Sequence, residues 1–189
     1  MGFGGMFGPT TQIFAADGFV VFLNSYDMQI YSIGKGPSVL TVTAPDVAAS
    51  FGSPVVIRGS VTDISAGTKQ PEQAARFPAG VPAVSDASMK DWMEYVYMQK
   101  PRPMDTVGVD VILTVIDPNN NVYDIGKATS DSSGKYSLMW QPPVPGKYTV
   151  IATFAGSESY WPSYSEAAFG ITEAAPTPFS FFVDSREAS

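Results

Sequence analysis

The sequence predicts an all-β protein, a sandwich of about seven strands carrying one inserted helix and preceded by a β-hairpin. Three observations point there. From Val39 onward, apolar residues recur at every second position in segment after segment. Gly and Pro, 17 and 16 of the 189 residues, fall between those segments and mark tight turns. Helix-forming runs of Ala, Leu, Glu and Lys are scarce, while a hydrophobic content of 44% is ample for a core.

Each strand follows from its parity. Leu40, Val42 and Ala44 share one face, with Thr41 and Thr43 on the other. Pro54 opens the run Val55 to Val61, whose odd positions carry the apolar side. Val109, Val111, Leu113 and Val115 alternate with Asp110 and Thr114. The run Asp117-Pro118-Asn119-Asn120-Asn121 turns the chain, because Asn and Asp accept left-handed backbone angles and bond to their own backbone. Val122 to Ser130 is the next strand, and Asp131-Ser132-Ser133-Gly134 the next turn. Tyr136, Leu138 and Trp140 share a face, as do Tyr148, Val150, Ala152 and Phe154. Ala167, Phe169 and Ile171 close the series.

Residues 38–172 number 135, and an insertion over 69–108 takes 40 of them. The remaining 95 match the ~100 residues of an immunoglobulin-like β-sandwich. Within the insertion, Gln70 to Pro82 reads as irregular, and the helix expected over 86–99 as the only one. Met89, Trp92, Met93 and Val96 fall on one helical face, which should dock on the sandwich. Ser88 and Asp91 fit a capping box, with Ser85 and Asp86 as alternative caps, and Lys90 and Glu94 are spaced as an i, i+4 pair. Pro101 and Pro103 end the helix. Deleting 70–106 is expected to leave the sandwich folded.

Before the sandwich, residues 1–36 hold the apolar runs Gln12–Ala16, Phe19–Leu23 and Met28–Ile33, separated by Asp17-Gly18 and Asn24 to Asp27. After it, residues 173–189 read as a linker and tail, with Pro176-Thr177-Pro178 at its centre.

Composition removes whole classes of function. The chain has no His and no Cys, so Ser-His-Asp and Cys-His mechanisms are excluded and the commonest zinc ligand is missing. A net charge of −7 gains nothing from phosphate electrostatics, so no nucleic-acid partner is expected. No run of ~20 apolar residues is present to cross a bilayer as a helix. The opening MGFGGMFGPTTQ lacks the charged and apolar regions of an export signal.

The stretch Pro145-Gly146-Lys147-Tyr148, continuing to Phe154-Ala155-Gly156-Ser157, resembles the last hairpin of prokaryotic immunoglobulin-like surface domains of the adhesin type. Asp131 to Tyr136 and Tyr160-Trp161-Pro162-Ser163 match the same family. The segment Ala16-Asp17-Gly18 to Gly34 resembles part of one blade of a pyrroloquinoline-quinone-type (PQQ-like) β-propeller. The whole resembles the C-terminal region of archaeal surface proteins that join such a propeller to such a sandwich. The resemblance implies an extracellular, cell-surface location, a fragment of a longer protein, and a tyrosine corner at Tyr148. A single partial blade cannot build a quinone site, so no cofactor is expected.

Candidate sites are few. Asp117, Asn119, Asn121, Asp131 and Ser133 offer oxygens suited to calcium, but without EF-hand spacing they read as turn residues and no metal is assigned. Lys127, Lys135 and Lys147 are the lysines weighed for an isopeptide cross-link. Trp92, Tyr95, Tyr97 and Met98, with Tyr160 and Trp161, could form an aromatic patch. The helical stripe assigns Trp92 and Val96 to packing. Tyr95, Tyr97, Met98 and Arg102 are left as the candidate partner-binding residues, for a surface protein or polysaccharide. The reading is therefore a non-catalytic structural, adhesion or binding module. Its alternatives are an accessory domain of a propeller protein and a carbohydrate-binding module.

With no His, no Cys and no phosphate-cradling loop, the purified chain is expected to show no hydrolytic or redox turnover. A turnover abolished by one carboxylate substitution in a substrate-panel assay would contradict this.

Overall fold

Seven long strands form where the alternation predicts them. The structure, a computed structural model, describes residues 13–16, 19–26 and 28–173. In the sandwich the strands are β4 (Ser38–Thr43), β5 (Ala49–Ser50), β6 (Val55–Asp63), β7 (Val81–Pro82), β8 (Asp110–Ile116), β9 (Val122–Thr129), β10 (Lys135–Trp140), β11 (Gly146–Phe154) and β12 (Ser163–Thr172). One sheet has the order β10-β6-β4, with β7 paired to the end of β6. The other has the order β5-β12-β11-β8-β9. Every pairing is antiparallel except that of β5 with β12.

The inner faces carry the predicted parity. Leu40, Val42, Val55, Ile57 and Val61 of one sheet meet Val111, Leu113, Val115, Tyr148, Val150 and Phe154 of the other, all buried. Leu138 and Trp140 are half-buried against the same core. The Trp140 ring meets Tyr148 edge-on at 5.4 Å and Phe169 at 6.5 Å, arrangements that suit the ring quadrupoles. The tyrosine corner forms: Tyr148 Oη donates to the Val144 carbonyl at 2.8 Å and accepts from the Val144 N–H at 3.2 Å. Gly59 answers to Tyr136, which crosses beside it. A Cβ there would lie 1.9 Å from the Thr41 carbonyl oxygen and 2.4 Å from the Tyr136 hydroxyl. The space lets Tyr136 Oη donate to that carbonyl at 2.7 Å.

The turns use the expected chemistry. Asp117 accepts from the Asn119 and Asn121 N–H groups and the Asn121 amide, each at 2.8 Å, and Asn120 is left-handed at φ 62°. Asp131 accepts from the Ser133 and Lys135 N–H groups.

Three elements differ from expectation. The N-terminal segment is a three-stranded meander, β1 (Ile13–Ala16), β2 (Phe19–Asn24) and β3 (Gln29–Ile33), rather than a two-stranded hairpin. The Asp17-Gly18 turn, Gln12 and the 174–189 tail lie outside the described residues. The insertion holds two α-helices, not one: α1 (Pro71–Arg76) and α2 (Asp86–Met98), and a 3-10 turn over Ala66–Lys69 leads into it. Pro71 at N1 and Glu72 in the first turn start α1, a segment whose Ala/Pro content reads as irregular. The segment after α1 is also not loose. β7 pairs with the end of β6, and Ala83 is fully buried in the main core. Residues 81–84 thus stitch the insertion into the sandwich, and a deletion over 70–106 removes core.

The two ends of the sandwich have different tasks. Ser38 lies opposite Asp63 in the β4–β6 pairing, and its hydroxyl is 2.9 Å from that of Ser163. The chain therefore enters the sandwich, and the insertion departs from it, beside the start of β12. Thr172, where β12 ends, is roughly 30 Å away at ~3.3 Å per residue.

Replacing Trp140 with Ala removes the ring at the centre of this aromatic contact. A loss of about 3 kcal/mol in a denaturant melt is expected, the low end for a Trp because the ring is half-buried. A loss under about 1 kcal/mol would remove Trp140 from the core.

Candidate functional site

α2 is held along its length by packing. Trp92 and Val96 are buried with Val81 and Val84 in a second apolar cluster, bordered by Phe77, Met89, Met93 and Tyr95. Met89 touches both this cluster and the main core. The predicted stripe of Met89, Trp92, Met93 and Val96 is thus the docked face.

The two ends of α2 are secured from elsewhere in the chain. Ser85 is the N-cap residue but makes no side-chain cap bond. The Ser88–Asp91 capping box does not form, because Ser88 lies inside the helix, where its hydroxyl accepts from the Val107 N–H at 3.0 Å. Asp86, in the first turn, reaches out to the β11–β12 loop. Its carboxylate accepts from the Ser157 hydroxyl and from the Glu158 and Ser159 N–H groups, each at 3.0 Å. At the other end, α1 supplies the donors. Gln73 Nε2 and Arg76 Nη1 donate to the Val96 carbonyl at 2.9 and 2.8 Å, and Arg76 Nη2 to the Tyr95 carbonyl at 3.2 Å. Carbonyls of the last turn have no partner inside their own helix, and a cation there also opposes the helix dipole. Gln99, left-handed at φ 56°, ends the helix. Glu94 pairs with Lys100 at 2.8 Å, not with the expected Lys90.

The candidate binding residues separate into three places. Tyr95 is half-buried, packed against Phe77 and Trp92, with the Arg76 guanidinium 4.6 Å from its ring centroid. Tyr97 lies on another side, beside Gly67, where a Cβ would come within 2.9 Å of its hydroxyl. Burial, and then the charge of Asp63, push the Tyr97 hydroxyl up to about 12, so it stays protonated at physiological pH. Met98 is 68% exposed. Arg102 leaves the helix altogether and donates to the Ser132 carbonyl and hydroxyl in the β9–β10 turn. Of the other aromatics, Tyr160 is buried and Trp161 is 45% exposed under Lys35, whose Nζ is 5.5 Å from the ring centroid. Tyr97, Met98 and their neighbours Gln99 and Lys100 are what this end offers to solvent. Tyr97, Gln99 and Lys100 line a shallow cleft of about 370 Å³ together with Glu72 and Arg76, and Met98 lies outside it.

Among the described residues no three acidic side chains gather as a metal site. The carboxylates of Asp63, Asp110, Asp117, Asp124 and Asp131 are each engaged by nearby donors. Lys127 pairs with Asp110 at 2.8 Å on the exposed face of adjacent strands, a setting unlike the dry one an isopeptide bond requires.

No protein-family model matches the sequence. No curated protein matches it. Among solved structures the chain is similar to a tetra-tandem repeat in the extending region of a large adhesion protein, at a TM-score of 0.40 and 16% identity. That likeness covers 72% of this chain and 24% of that one. It is also similar to a protein described as membrane-anchored, from Corynebacterium diphtheriae, at a TM-score of 0.40 and 15% identity, over 88% of this chain and 33% of that one. The chain thus spans a quarter to a third of either length. Likenesses at this level leave function to the chain's own residues.

Asp86 yields a pH dependence. Partial burial pushes its carboxyl up, but the hydrogen bonds from Ser159, Glu158 and Ser157 outweigh this and hold it below its ordinary value. A depressed folded pKa means its contribution is complete above the ordinary carboxylate range and is lost as pH falls through the folded value. Amide exchange of Glu158 and Ser159 should therefore be unchanged from pH 7 to 5 after correction for intrinsic rates, and accelerate below about pH 4. Asp86→Ala should accelerate it about tenfold at pH 7. Equal protection in the variant would show that the carboxylate does not hold the loop.

Proposed function

We propose that this chain is a non-catalytic module of the cell surface, a sandwich scaffold that carries a recognition platform at one end. One observation carries the reading: the insertion has its own apolar cluster and a helix secured at both ends from elsewhere in the chain, yet leaves Tyr97 partly exposed and Met98, Gln99 and Lys100 exposed. A loop that merely covered a sheet edge would need no second core. Rigid elements that present an aromatic and a flexible apolar side chain beside a charged rim suit a protein or polysaccharide partner. The engagement of the Asp carboxylates by structural donors supports the non-catalytic part.

The meander favours a second reading, an accessory domain of a longer propeller-type protein. Its residues are apolar on both faces, with Ile13, Phe14, Ile30 and Ile33 more than half exposed, whereas an antiparallel sheet at a surface is normally polar on one side. The carbohydrate-module alternative gains less. Outside the meander, the exposed aromatics Phe51, Tyr97, Trp161 and Tyr164 sit on the β5–β6 loop, α2, the β11–β12 loop and β12, on separate elements.

Because β7 pairs with β6 and Ala83 belongs to the sandwich core, the platform is better tested by surface substitution than by deletion. Tyr97→Ala with Met98→Asp should lower binding of the labelled chain to isolated cell envelopes about tenfold or more, with the melting transition retained. Protease treatment of the envelopes separates a protein partner from a polysaccharide. Unchanged binding by the folded variant would overturn the reading.

A further inference from the structure

The β11–β12 loop, residues 155–162, is bonded to three parts of the molecule at once. Asp86 of α2 holds it through Ser157, Glu158 and Ser159. Asp63, at the root of the insertion, accepts from the buried Tyr160 hydroxyl at 3.3 Å. The third partner is the segment that follows the meander. Gly36 donates to the Ser159 carbonyl at 2.8 Å and accepts from the Trp161 N–H at 2.9 Å, a parallel bridge with Tyr160 between them. Lys35 lies against the Trp161 ring. The Ser38 hydroxyl donates to the Trp161 carbonyl at 2.8 Å, and the Pro37 carbonyl accepts from the Ile64 N–H at 3.0 Å.

β3 ends at Ile33 and the first bridged residue is Gly36. Only Gly34 and Lys35 lie between, and Lys35 is itself stacked. Pro37 fixes its own φ and biases Gly36 towards the extended backbone that the bridge needs. A connection of this kind leaves a single residue, Gly34, between the strand and the bonded segment. Flexible linkers, by contrast, are several residues long and make no such bonds.

We propose that the β11–β12 loop is a rigid joint that fixes the direction in which the N-terminal sheet leaves the sandwich, and holds that sheet and the α2 platform in one arrangement. The joint does not depend on what the platform binds, so its test and the binding test fail separately.

Trypsin reads the joint directly, because it cleaves after Lys35 only when several flanking residues leave their partners. In the full chain this bond should be cut about 100-fold or more slowly than in a synthetic peptide of residues 30–41. Trp161→Ala and Asp86→Ala should each raise the rate about tenfold without loss of the sandwich's melting transition. In parallel, ¹⁵N relaxation of the full chain should give one rotational correlation time for meander and sandwich amides. Cleavage at the peptide's rate, independent tumbling of the meander, or an unchanged rate in both folded variants would each overturn the proposal. Should either substitution unfold the sandwich, the relaxation of the unsubstituted chain decides.

Discussion

Tyr160 joins three regions through one buried side chain. Its ring belongs to the main core, its hydroxyl meets Asp63 where β6 gives way to the insertion, and its backbone lies beside Gly36 at the entry of the chain. Burial drives that hydroxyl's pKa upward, and the Asp63 charge pushes the same way, so it remains a donor to the carboxylate. A buried carboxylate needs donors, and Ser65 supplies the others through its N–H and hydroxyl. The insertion can leave the sandwich at Asp63 because this buried polar knot is satisfied by its own donors.

The strands were legible because a half-buried sheet imposes a two-residue period, and Thr41, Thr43, Asp110 and Thr114 each stand between apolar neighbours, with Ile112 the apolar residue on the outer face of β8. The docked face of α2 was legible for the same reason at helical spacing. What escaped was short or long-range. α1 spans six residues, too few for a period to show, although Pro71, Glu72 and Arg76 stand where a helix would place them. β7 spans two. Asp86 looks like one more acidic residue at a helix start, and nothing local announces partners more than 70 positions away.

The candidate binding residues show how one missed element redistributes a site. Tyr95 and Tyr97 both lie off the apolar stripe and look equivalent in the sequence. α1 separates them, because Phe77 and Arg76 cover Tyr95 and leave Tyr97 at the rim. Arg102 was grouped with them by proximity in the chain. After Pro101 and Pro103 the backbone runs back towards β8, and Arg102 ends on the β9–β10 turn.

The parallel links at the two ends of β12 have a mechanical consequence. Gly36 is bridged to Tyr160 shortly before β12 begins, and β5 pairs with β12 where it ends, both in parallel. Tension applied at Gly36 and Thr172 would act along the strand and across those hydrogen bonds, shearing them as a group instead of peeling them apart in turn. Bonds loaded together must break together, which makes unfolding under a sudden pull a matter of rate. β12 itself is then the path by which such a pull would cross the sandwich.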